Sequence, residues 1–182
     1  MKPAVFLDRD GTIIEDRGHL SSINDVQIYP NTAWSLKQLN NNFELFIVTH
    51  QPGISRGLLT MNDVETVNSY ILNVLSGNGI SIREIYVCPH ERSDKCCCIK
   101  PLPYFLHCAA DDYTIDLEHS YVIGDHPHDV ELACNAGSKG IYVLTGHGEK
   151  HYDQIPRDTI VMKNIAEATQ YIMKKCNDAS LN

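Results

Sequence analysis

A chain of 182 residues, 43% of them hydrophobic, can bury one sizeable core, so a single domain over 1–182 is expected. A formal net charge of −8 argues against nucleic acid, which basic faces bind, and no apolar run approaches the ~18 residues of a membrane span. Met1-Lys2-Pro3 runs straight into AVFLD with no apolar leader, and seven cysteines in such a chain suggest metal or catalysis rather than disulfides. A cytoplasmic monomer with neither membrane nor nucleic-acid partner is the expectation, and no repeat or linker interrupts it.

In chain order, AVFLD (4–8) is a short apolar run ending in an acid. Residues 32–40 read as a helix with Trp34, Leu36 and Leu39 as its apolar residues. LFIVTH (45–50) predicts a second strand, and Thr60 with Asp63 predicts a capped helix running through Leu75 and ended by Gly77. IREIYV (82–87) predicts a third strand, followed by a cysteine-rich loop and a helix over about 101–111. YVIGD (121–125) predicts a fourth strand, then a helix from Pro127 that stops at Gly137. GIYVL (140–144) predicts a fifth strand and 164–175 a closing helix. Continuous apolar strands alternating with helices imply an α/β fold: a three-layer, Rossmann-like parallel sheet with helices on both faces.

In such sheets ligands bind beyond the carboxyl ends of the strands. That rule gathers Asp8, Thr49, Lys100 and Asp125. Asp8 and Asp10 lie two apart, so on an extended stretch their carboxylates face the same way, tolerable if a divalent cation lies between them. Gly11 permits a tight turn that aims backbone N–H groups at an anion. Thr49 offers a hydroxyl, Lys100 a point charge suited to phosphate, and Asp125 a hard oxygen ligand, with Asp129 a second acid. Together they describe a carboxylate nucleophile, a neighbouring acid–base, an Mg²⁺ site and a phosphate clamp.

These residues, Asp8-x-Asp10-Gly11-Thr12, Thr49, Lys100 and Gly124-Asp125-x-x-x-Asp129, resemble the four motifs of the haloacid dehalogenase superfamily of phosphatases over roughly 4–145. The loop containing Cys88, His90, Cys96, Cys98, Lys100 and Pro101 resembles that of its zinc-carrying branch. Two groups share the loop, the heptose bisphosphate phosphatases and the histidinol-phosphate phosphatases. DRDGTIIEDRGHL, VTHQPGISRG and VLTGHG look closer to the former. The resemblance implies that Asp8 attacks phosphorus and Asp10 serves as acid, then base. It also implies Mg²⁺ on Asp8, the Asp10 carbonyl and Asp125, with Thr49 and Lys100 on the phosphoryl group. Asp129 would orient Lys100 or a metal-bound water. The implied substrate is a phosphorylated sugar, a heptose bisphosphate first and histidinol phosphate or another sugar phosphate as the alternative.

Because side chains alternate along an extended stretch, Cys96 and Cys98 face one side and Cys97 the other. Cys88 and His90 form an equivalent pair, and four N/S ligands satisfy a structural, tetrahedral Zn²⁺; buried reduced thiols are the alternative. A disulfide between adjacent cysteines would be strained. Cys108 and Cys134 read as core, and His147 and His151 as solvated. The chain between the first two strands is too short for a separate cap domain, leaving specificity to loops. Asp16, Arg17, Gly18 and His19 occupy the resembled family's substrate loop, and His50, Gln51, Pro52 and Arg56 follow the second strand. His126 and His128 suit phosphate or solvent better than Mg²⁺.

Two positions depart from the heptose pattern: Ile99 stands where that group carries arginine, and His126 where it carries lysine. A second phosphate would then fall to Arg17, Arg56 or a protonated His126, and KM would rise between pH 6 and 8 as that imidazole lost its charge. A binding module on a dead phosphatase scaffold would lack a nucleophile or metal ligand, and neither is missing here.

Overall fold

The computed structural model describes residues 1–179, and statements about the structure refer to them. Six strands form one parallel sheet: β1 (Lys2–Leu7), β2 (Glu44–His50), β3 (Glu84–Cys88), β4 (Ile115–Gly124), β5 (Lys139–Val143) and β6 (Ile160–Met162). Their spatial order is β3-β2-β1-β4-β5-β6, so the order of strand addition reverses between β1 and β4, and a crevice is expected at the carboxyl ends of those two strands.

The helices are α1 (Thr32–Asn40), α2 (Met61–Gly77), α3 (Tyr104–Tyr113), α4 (Pro127–Asn135) and α5 (Ile165–Ala179). The two-residue period of β1 decides which helices lie where. Val5 and Leu7 join Leu36 and Leu39 of α1, Val67 and Ile71 of α2 and Ile172 of α5 in one apolar layer. Ala4 and Phe6 point the other way, against Leu106 of α3 and Leu132 of α4. A strand buried on both faces must be apolar throughout, and Ala4 to Leu7 are all fully buried.

The structure departs from the sequence reading at two places in the sheet and at several helix positions. β6 was not foreseen: three residues, Ile160–Met162, extend the edge beside β5, too short a run to stand out from the surrounding polar sequence. β4 begins at Ile115, because its first residues pair with Lys2 and Pro3 across a register shift. Its strand character there comes from pairing with β1, since Glu118 and His119 are exposed. Of the three apolar residues of α1, Leu36 and Leu39 are buried together with Thr32 and Ser35, while Trp34 is exposed. Cys134 is likewise exposed and Cys108 only half-buried, so neither is the core residue expected.

α2 starts as its sequence predicts. Asp63 N–H donates to Thr60 Oγ1 at 3.1 Å, and the Asp63 carboxylate accepts the Thr60 N–H at 2.8 Å. Thr60→Ala is expected to lower unfolding free energy by about 1 kcal/mol in a denaturant titration, with catalysis unaffected.

Candidate active site

The loops leaving β1, β2 and β4 and the chain after β3 enclose a cavity of about 250 Å³ lined by Asp8, Asp10, Lys100, Asp125 and Asp129. Lys100 Nζ lies 2.6 Å from Asp8 Oδ1 and 2.7 Å from Asp129 Oδ1. Asp129 thus holds the Lys100 ammonium from the side opposite Asp8 by a direct ion pair. Burial by itself would push the Lys100 ammonium down, but the carboxylates of Asp129 and Asp8 outweigh it and hold the group protonated. The other Asp129 oxygen accepts the backbone N–H of His126 at 3.1 Å, fixing the carboxylate at the start of α4.

Asp10 sits among donors. Gln51 Nε2 donates to its Oδ2 at 2.8 Å and Thr49 Oγ1 at 3.3 Å. Arg9, fully buried, donates from Nε at 2.9 Å and Nη2 at 3.1 Å to the two carboxylate oxygens, and from Nη1 to Asn68 of α2 at 2.8 Å. Arg9 and Asn68 were not anticipated. An arginine directly between two acids reads as surface charge until the tertiary structure buries it.

Asp125 is held by contact as well as charge. Its Oδ2 accepts the His147 N–H at 2.7 Å. A side chain at Gly11 would come within 2.1 Å of the same oxygen and one at Gly146 within 2.2 Å; both glycines have positive φ, at 87° and 57°. Only glycine lets both loops close on this carboxylate. Burial pushes Asp125 up to about 7, with Asp129 adding to it, and burial also raises Asp8 well above the ordinary range against the pull of Lys100. Asp8, Asp10, Asp125 and Asp129 face two buried cations, Arg9 and Lys100, a set of hard oxygens that would carry two negative charges in excess if all four ionised. That donor set and charge fit one divalent cation of the Mg²⁺ kind.

Cys88, His90, Cys96 and Cys98 converge, with their ligand atoms all within 4.8 Å of one another. Cys98 Sγ lies 3.2 Å from Cys88 Sγ, 3.8 Å from Cys96 Sγ and 3.4 Å from His90 Nδ1. A tetrahedral Zn²⁺ with S ligands at about 2.3 Å has edges of roughly 3.8 Å, so the cluster has the size of a closed zinc site. Cys97 is exposed, away from the four ligand atoms, although residues 96–98 bend rather than run as an extended strand. Two residues beyond Cys98, Lys100 enters the cavity.

The remaining positions divide. Asp16, His50, Pro52 and His126 line the cavity, as does Lys100, while Gln51 and Thr49 reach it through Asp10. His50 Nε2 is 2.7 Å from the His90 carbonyl oxygen, which ties the end of β2 to the cysteine loop. Arg17 turns outward to Glu15 and Gln27, beside the exposed Gly18, and Arg56 pairs with Glu91. His19 packs over Gly53, whose missing side chain leaves it room. Ile99 is buried with Cys88, Cys98 and Phe105 rather than facing the cavity. Burial and the adjacent His128 push His126 down to about 4, which works against the charge expected of it between pH 6 and 8. His147, expected to be merely solvated, lines the cavity, and so do Arg92 and His128.

A family model described as HAD-hydrolase-like matches residues 97–168. A D-glycero-β-D-manno-heptose-1,7-bisphosphate 7-phosphatase of Helicobacter pylori J99 is 34% identical over 93% of this chain and 96% of its own. The Escherichia coli K12 protein of that name is 33% identical over 95% of each. The chain belongs to the heptose-bisphosphate 7-phosphatase family of HAD-like hydrolases. Within that family, the D,D-heptose 1,7-bisphosphate phosphatase of B. bronchiseptica, solved with magnesium and phosphate, superposes with a TM-score of 0.88 at 28% identity, covering 96% of this chain and 99% of its own. HAD-family phosphatase is therefore the chain's enzyme class, as its four motifs implied.

Proposed function

We propose that this enzyme removes the 7-phosphate of D-glycero-D-manno-heptose 1,7-bisphosphate through an aspartyl-phosphate. The observation carrying the reading is the Asp8–Lys100–Asp129 triad packed beside the Arg9-braced Asp10 in one cavity. The Asp8 carboxylate attacks phosphorus and the phosphorus–oxygen bond to the sugar breaks. Asp10 gives a proton to the leaving oxygen, then takes one from the water that hydrolyses the intermediate. Lys100 and Thr49 hold the phosphoryl oxygens, so positioning and charge supply most of the rate. Arg9 and Gln51 keep Asp10 beside the reacting bond.

Asp8, the Asp10 carbonyl and Asp125 would hold Mg²⁺, which would offset the charge on the phosphoryl group and on the clustered carboxylates. Cys88, His90, Cys96 and Cys98 would hold Zn²⁺ as a staple that shapes the loop delivering Lys100. A thiolate-rich site needs reduced cysteines, which favours a cytoplasmic setting.

The deciding experiment is a turnover screen with Mg²⁺ against heptose 1,7-bisphosphate, histidinol phosphate and common sugar monophosphates. The heptose bisphosphate is expected to give the highest kcat/KM. A higher value for histidinol phosphate would transfer the assignment to that sister group.

A further inference from the structure

We infer that Arg92, seated against His128 at the cavity rim, reads the second phosphate of the substrate and so determines specificity in this chain. The inference rests on the heptose-bisphosphate reading and narrows it to one residue. Of the candidates for that role, Arg17 is bonded to Glu15 and Gln27, Arg56 is paired with Glu91, and the His126 ring is stacked on His128.

Lys100 is the other cation lining the cavity, and it is committed to Asp8 and Asp129. Arg92 makes no ion pair among the described residues. Its Nη2 lies 3.0 and 3.1 Å from the two ring nitrogens of His128, whose ring stacks on His126 with centroids 4.4 Å apart.

The turn carrying Arg92 is braced. Asp94 Oδ2 accepts the Glu91 N–H at 2.7 Å and the Ser55 hydroxyl at 3.0 Å, and the Pro89 carbonyl accepts the same hydroxyl at 2.9 Å. A guanidinium held at a cavity mouth, against the stacked His128 and His126 rings and otherwise exposed, suits a phosphate dianion. The loop that delivers Lys100 carries Arg92 in its preceding turn.

The test compares kcat/KM for heptose 1,7-bisphosphate with that for heptose 7-phosphate in wild type, Arg92→Gln and Arg92→Lys. Wild type should prefer the bisphosphate, and Arg92→Gln should cut the ratio about 10- to 100-fold, chiefly through KM, with Arg92→Lys keeping most of it. Damage to the loop would slow both substrates together and leave the ratio unchanged. A wild-type preference that survives Arg92→Gln within twofold overturns this inference alone. No wild-type preference for the bisphosphate overturns the substrate reading and the inference with it.

Discussion

Asp8→Asn is expected to lower phosphatase turnover by at least about a thousandfold while the protein folds and keeps its melting temperature within a few degrees. The amide has nearly the shape of the carboxylate, so packing around β1 is preserved, but it cannot form the acyl phosphate. The environment argues for a small stability cost. Asp8 stands in a cluster with excess negative charge, where burial and the nearby acids already disfavour its ionised form. Removing that charge relieves repulsion, although Lys100 then keeps only Asp129 as a partner. Rapid-quench kinetics with the bisphosphate, together with a thermal melt, would check both halves. Activity within tenfold of wild type would rule out Asp8 as the covalent nucleophile, whatever the fold does.

The second large effect concerns the cysteine loop. Protein purified without chelator should contain about one Zn per chain, and Cys98→Ser should lose it. Loss of a structural metal belongs to the few single changes that cost on the order of 3–5 kcal/mol, which for a chain of this length lowers the melting temperature by about 10 °C. Activity should fall further than stability, because Lys100 follows Cys98 by two residues and its ammonium must reach both Asp8 and Asp129. Cys97→Ser should keep the metal and the melting temperature, since that side chain is exposed. Metal analysis of the two variants separates the cases. A Cys98→Ser protein that retains zinc, or a Cys97→Ser protein that releases it, would disprove the assigned ligand set.

Much of this site is legible in the sequence because its residues are local to strand ends. Asp8 follows four buried apolar residues and Asp125 follows another run, so a parallel-sheet reading places both at carboxyl ends before any coordinates exist. The Cys-x-His and Cys-x-Cys pairs are legible for the same reason: two-residue spacing already fixes which side chains share a face. The Thr60–Asp63 cap is visible because its whole chemistry spans three residues.

What sequence alone could not give depends on distance along the chain. Arg9 is a buried cation only because Asn68, 59 residues on, supplies its last acceptor and α2 covers it. His147 joins the cavity only because the loop after β5 folds back over Gly11, where its N–H meets Asp125. β6 is a strand through its neighbour β5 rather than through its own three residues. The pull on the His126 imidazole likewise comes from burial and from the stacked His128 ring, neither of which its own position in the sequence reveals. By itself, then, the sequence determined the alternating α/β pattern, the nucleophile motif and the metal-ligand spacing, because each is carried by neighbouring residues. The tertiary structure alone decided which cations are free and which are spent, since pairing and burial are properties of groups brought together from distant parts of the chain.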